Sequence, residues 1–189
     1  MTKNYFFNLS TLQVSALPTL HRCYIAAFTA IKSPRATSWS LDDTKALQGT
    51  SPNIIWKNEE LWNNQSKTAK QAFYSTYNDA GILPLLPGVR EMLKRIKANG
   101  NNVFIFSMKH QHLILKELVG LGIAPFCDGY IGTKPDKSFC KETLLKTCKD
   151  CFCQESSAVV VASKSYYDAA KNAKLEFKEA NSLTFRELK

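Results

Sequence analysis

No apolar run in this 189-residue chain approaches the about 20 residues needed to cross a bilayer. The first 20 residues carry one early lysine and an interrupted apolar stretch, and they lack the small-residue cleavage site of a secretory signal. Both absences point to a protein of the cytoplasm, of its own cell or of a host, with no membrane segment. Internal repeats, low-complexity tracts and long linkers are missing too, which excludes solenoid and disordered classes and leaves one folded unit, with or without an insertion. Acidic residues are scarce: 16 against 25 basic ones, a net charge of +9. Residues 1–80 hold eight basic and five acidic groups, and residues 81–189 hold seventeen and eleven, so the excess is spread along the chain. No basic-aromatic stripe accompanies it, and a solvated surface accounts for the charge better than a nucleic-acid face does. Nothing in the composition fixes an oligomeric state.

What is present is an ordinary globular composition, 44% hydrophobic and 22% charged, with six cysteines. Without an export signal these are expected to be free thiols. Cys148, Cys151 and Cys153 are crowded as C-x2-C-x-C, a spacing that departs from paired zinc knuckles, so a structural or incidental role is expected for them rather than a metal site.

The pattern alternates between helix and strand. Tyr5–Leu9 is a short aromatic run suited to a buried strand, broken by Ser10-Thr11. From about Pro18 to Ile31, Leu20, Tyr24, Ala27, Phe28 and Ile31 recur at helical spacing. Ser40-Leu41-Asp42-Asp43 is a helix start with acids in its first turn, and a further helix is expected over roughly Lys67–Asn78. Residues 16–80 therefore read as all-helical, with Trp56 and Trp62 among them. After Pro87-Gly88 the character changes. Val89, Met92, Leu93 and Ile96 make one helix face that stops at Asn99-Gly100, and Val103–Phe106 is a continuous apolar strand. Leu113–Leu121 predicts a helix, Tyr130-Ile131 a short strand, Lys141–Lys149 a helix, Ala158–Ala162 a second apolar strand, Asp168–Ala173 a helix, and Glu176-Phe177 a last edge strand. Strands and helices in this alternation imply an α/β fold with a parallel sheet between two helical layers.

The segments LPGVREMLKRIKANGNNVFIFSMKH, then KPD, then VVVASKSYYDAAKNAK resemble the haloacid dehalogenase superfamily, in its phosphoglycolate phosphatase-like branch. The resemblance implies a three-layer Rossmann-like core over residues 1–15 and 81–189, with 16–80 as a small helical cap inserted after the first strand. It also implies where chemistry should sit. The family's first strand ends in Asp-x-Asp-Gly-Thr-Leu, the first aspartate attacking phosphorus and the second serving as general acid. This chain reads Asn8-Leu9-Ser10-Thr11-Leu12, with the glycine missing: Asn8 replaces the nucleophile and Ser10 the acid. Matching Ala169-Ala170-Lys171-Asn172-Ala173 to the family's last motif puts Ala162 and Tyr166 where it has acids for Mg2+, and neither is the hard anionic oxygen that Mg2+ prefers. A shift of register would make Asp168 a ligand but would break that match.

Ser107, at the end of the apolar strand, and Lys134 of Lys134-Pro135 match the phosphate-contacting positions, although a strand-end turn residue and a surface lysine would look the same. With Lys109, and Lys164 nearby, they would leave a basic cleft able to take an anion without metal. The expectation is a catalytically silent phosphatase-like protein, without cofactor, that binds a protein partner or a small anionic ligand. The alternative is an active hydrolase of small phosphate esters with atypical residues, which would need Mg2+.

Overall fold

The computed structural model describes residues 2–47, 65–133, 140–152 and 158–188. The chain divides into two compact units, one of Met1–Val14 and Pro84–Lys189 and the other of Ser15–Leu83. No helix among the described residues is long and apolar enough to cross a membrane.

The first unit is built on five parallel strands: β1 (Asn4–Asn8), β2 (Asn102–His110), β3 (Gly129–Thr133), β4 (Ala158–Ala162) and β5 (Glu176–Glu179), in the order β3-β2-β1-β4-β5. Every residue of β1 and of β4 is buried, as expected of central parallel strands covered on both faces. Alternation decides which side chain goes where. Tyr5, Phe7, Val103, Ile105, Val159 and Val161 face one layer, where α6 (Val89–Ala98) contributes Val89, Met92, Leu93 and Ile96, and α7 (Gln111–Gly120) contributes Ile114 and Leu118. Phe6, Phe104, Phe106, Val160 and Ala162 face the other, packing on Leu144, Leu145 and Cys148 of α8 (Lys141–Phe152) and on Ala169 and Ala170 of α9 (Tyr167–Asn172). Helices on both faces of a parallel sheet make this the three-layer α/β fold that the sequence predicts. Successive connections carry the chain outward from β1 through β2 to β3, then back across to β4 on the opposite side of β1. That reversal creates a crevice at the carboxyl ends of β1 and β4, the usual ligand position in open α/β sheets.

Several boundaries differ from the sequence reading. Ser10-Thr11 is not a break but part of a one-turn helix, α1 (Leu9–Leu12), in which the Thr11 hydroxyl donates to the Asn8 carbonyl at 2.7 Å. The strand β2 runs past Ser107 to His110, with its register against β3 shifting between Phe106 and His110. A short helix, α10 (Ser182–Glu187), follows β5.

The second unit packs α2 (Leu17–Ala30) against α5 (Ser66–Asp79). Tyr24, Ala27, Phe28 and Ile31 meet Ala69 and Phe73, and the Trp39 ring lies 4.9 Å from Phe28. Between them are α3 (Arg35–Ser38) and α4 (Leu41–Ala46). Ser40 caps α4 as its sequence predicts: its hydroxyl accepts from the Asp43 amide at 3.1 Å and the Asp43 carboxylate accepts from the Ser40 amide at 2.8 Å. A hydrogen bond donated by the Ser40 hydroxyl at 2.6 Å, together with the one from the Ser40 amide, holds the Asp43 carboxyl below the usual carboxylate range. Trp56 and Trp62 lie outside the described residues.

Candidate site at the carboxyl ends of the central strands

Asn8 closes β1 directly beside Phe106 of β2 and is 3% exposed. A buried primary amide must place two donors and an acceptor, and here its neighbours supply partners on both sides. Its Nδ2 donates to the Tyr166 hydroxyl at 3.1 Å, and its Oδ1 accepts from the Ser10 hydroxyl. Three of the four positions where the resemblance implies acids are thus linked by two neutral hydrogen bonds.

Tyr166 reaches this position through the turn after β4. Ala162 ends that strand fully buried, and a 3-10 turn, Lys164–Tyr166, then directs the phenol back over the sheet. Its ring packs edge-on to Phe106, with centroids 5.4 Å apart. Burial pushes the phenol up to about 12, so it is a neutral hydroxyl at physiological pH. Ala169 and Ala170 are buried against the sheet while Asp168 is exposed, and it is Tyr166 whose side chain meets Asn8.

Ser107 is buried, and its oxygen accepts from the Lys109 amide at 3.1 Å, which leaves its proton able to donate. Lys109 is placed differently from the expected open cation: its ammonium sits 2.7 and 2.9 Å from the two carboxylate oxygens of Glu117. Gln13 donates to the same carboxylate at 3.1 Å. Strand-to-helix geometry explains this, because eight residues separate Lys109 in β2 from Glu117 on α7, which packs back along the strand. Lys164 is exposed. Lys134 and Cys153 lie outside the described residues, while Cys148 is buried and Cys151 exposed, both on α8.

One residue absent from the sequence reading stands beside the network. Lys141, the first residue of α8, holds its ammonium 4.9 Å above the Tyr166 ring and donates to the Ser165 carbonyl at 3.2 Å. Partial burial pulls its pKa below the ordinary lysine value. The sequence offers no sign of this, since a lysine opening an amphipathic helix is a common surface feature.

The donors at these strand ends do not fit Mg2+. The Asn8 side-chain oxygen already accepts a hydrogen bond, Tyr166 is a neutral phenol, and the Ala162 side chain has no ligating atom. Mg2+ is a hard cation held through carboxylates. Among the described residues no group of three or more His, Cys, Asp or Glu is placed to hold a metal ion.

No family model and no curated protein matches the sequence. Solved structures do match. A haloacid dehalogenase-like family hydrolase from Streptococcus pneumoniae superposes with a TM-score of 0.76 at 19% identity, over 93% of this chain and 83% of the other. A protein described as a predicted phosphoglycolate phosphatase from Haemophilus somnus gives 0.75 at 20% identity, over 95% and 88%. Protein tyrosine kinase A from Mycobacterium tuberculosis gives 0.74 at 17%, over 93% and 82%. These three names span different reactions, so the likeness concerns architecture. Sheet order, the helices on both faces and this similarity over nearly the whole chain agree: the protein has the haloacid dehalogenase-like fold.

Proposed function

We propose that this is a catalytically silent protein of phosphatase-like fold that binds an anionic ligand without metal. The observation that carries the reading is the Asn8–Tyr166 hydrogen bond, continued by Ser10. Phosphoryl transfer to an enzyme needs an anionic nucleophile, a general acid and compensation for the charge that develops, which together lower the barrier by on the order of 8 kcal/mol or more. An amide in the nucleophile's place has its lone pair delocalised into the carbonyl. Ser10 donates its proton to that amide, which is no base, so the pair generates no alkoxide. Binding requires less. The Ser107 hydroxyl and the amides at the sheet's carboxyl edge can hold an anion by hydrogen bonds alone, as they would in a working relative.

The fold also supports the alternative of an active phosphate-ester hydrolase with atypical residues, since structural neighbours carry hydrolase and phosphatase names. The chemistry of Asn8, Ser10, Ala162 and Tyr166 favours the silent reading.

Titration of inorganic phosphate into the protein in EDTA, followed by amide NMR shifts, tests it. The expected result is saturable binding, in the millimolar range because a few charge-assisted hydrogen bonds are largely offset by association entropy, and weaker as salt is raised. Absence of a saturable response at low salt overturns the anion-binding reading.

A further inference from the structure

The geometry points to a copper(II) site formed by His110 and His112, an inference that does not depend on the anion-binding reading above. His110 closes β2 and is the N-cap of α7, and His112 is the second residue of that helix. Residues two apart on a helix lie on different sides of it, whereas residues two apart on a strand share a face. His110 keeps an extended backbone, φ −62° and ψ 140°, so the change from strand to helix falls between the two residues and their rings meet. The ring centroids are 4.4 Å apart with planes inclined at 54°, and the two Nδ1 atoms are 2.6 Å apart. His110 is half-buried and His112 exposed, so solvent reaches the pair.

With the proton of each neutral ring on Nε2, both Nδ1 lone pairs converge on one point, which is what a chelated metal ion requires. Imidazole is a ligand for copper, nickel and zinc, and the spacing separates these ions. With metal–nitrogen bonds of about 2.0 Å, a tetragonal ion holds two adjacent nitrogens about 2.9 Å apart and a tetrahedral ion about 3.3 Å apart. Starting from 2.6 Å, the tetragonal site needs the nitrogens to part by about 0.3 Å and the tetrahedral one by about 0.7 Å. The outer torsion of histidine is broad, so the smaller movement is a slight rotation of either ring. Tetragonal nitrogen sites suit Cu2+ and Ni2+, and of these Cu2+ binds the more strongly. Water fills the remaining positions, so the pair needs no third His, Cys, Asp or Glu, and among the described residues none groups with it. The neighbouring Lys109 ammonium lies 2.7 Å from a Glu117 carboxylate oxygen, which offsets its repulsion of an approaching dication.

Titration of the full chain with Cu2+, at mildly alkaline pH because only neutral imidazole binds metal, tests the site. Cys140 and Cys151 are exposed, so accessible thiols are first alkylated with iodoacetamide to keep them from competing for the ion. His21, the third histidine of the chain, serves as control. The wild type and His21→Gln should each bind one Cu2+ with a tetragonal EPR spectrum. By chelator competition, His110→Gln and His112→Gln should each bind at least about a hundredfold more weakly, since losing either ring ends the chelate. Thermal melts establish that the variants are folded. Should one unfold, the imidazole 1H–15N resonances of the wild type report instead: at substoichiometric Cu2+ those of His110 and His112 should broaden together while that of His21 stays sharp. A folded His110→Gln or His112→Gln that binds Cu2+ as tightly as the wild type, broadening of one ring of the pair without the other, or no stoichiometric binding by the wild type overturns the assignment.

Discussion

The side-chain nitrogen of Asn8 donates to the hydroxyl of Tyr166 at 3.1 Å, joining the end of the first strand to a turn 158 residues later. The resemblance assigns carboxylates to both positions. Had only one been lost, the remaining carboxylate would face a neutral partner in a buried setting at considerable cost. Replaced together, amide and phenol satisfy each other, and Ser10 completes the amide's needs. On the proposed reading this is a rebuilt site, whose residues fit one another, rather than a set of independent losses.

Removing the Tyr166 hydroxyl should therefore strand a buried amide N–H. Tyr166→Phe and Asn8→Ala should each cost about 1–3 kcal/mol in denaturant unfolding. The double variant should cost less than the sum of the two, with a coupling energy of about 1 kcal/mol. Strict additivity would mean that the pair is not joined in solution.

Restoring acids at only two positions should not restore chemistry. Asn8→Asp with Ser10→Asp leaves Ala162 and Tyr166 unchanged, so two carboxylates stand close together without the ligands that would bring Mg2+ to balance them. The double variant should show no Mg2+-dependent turnover of p-nitrophenyl phosphate and no rise in melting temperature on adding Mg2+. Either effect at low millimolar Mg2+ contradicts this view of the site.

Stability should fall on the alkaline side. Burial pushes the thiols of Cys23 and Cys127 up to about 11 and about 12, and the Tyr166 phenol up to about 12. In the unfolded chain these groups return toward about 8.5 for thiols and 10 for tyrosine. The unfolded state therefore loses protons first as pH rises, and stability present below about pH 8.5 is progressively lost up to about pH 12, at about 1.4 kcal/mol per pH unit for each proton of difference. Urea midpoints measured from pH 7 to 10.5 under reducing conditions should decline from about pH 9. A flat profile would mean that these groups are more exposed than described.

Much of the fold was legible because it rests on local pattern. Val103–Phe106 and Ala158–Ala162 are continuous apolar runs of strand length, rich in β-branched and aromatic residues, and Ser40 with Asp43 announces a helix start that the structure reproduces. The one-turn helix at Leu9–Leu12 and the six-residue helix Ser182–Glu187 escaped notice because neither spans two turns, too little for a period to show. The residues of the site were legible by likeness, but their partners were not. Asn8 with Tyr166, Lys109 with Glu117 and Lys141 with Tyr166 are pairs made by strand order and helix packing, and charge alone ranks Lys109 and Lys141 equally.

Glycine at position 132 shows how closely β3 and α7 approach. A Cβ added there would lie 2.6 Å from both the Ile114 Cδ1 atom and the Lys109 carbonyl oxygen, and the latter is backbone that cannot rotate away. Gly132→Ala should cost about 1–3 kcal/mol, in the range of overpacked cores. Chemical denaturation checks it, and a neutral result would place α7 further from the sheet.

In the proposed function a neutral Asn8–Ser10–Tyr166 network stands where this fold carries phosphatase chemistry. The test is steady-state hydrolysis of p-nitrophenyl phosphate and a panel of small phosphate esters, with Mg2+ in excess and Asn8→Ala in parallel. No turnover above the protein-free rate is expected for either wild type or variant. Sustained turnover by the wild type that is lost in Asn8→Ala would contradict it.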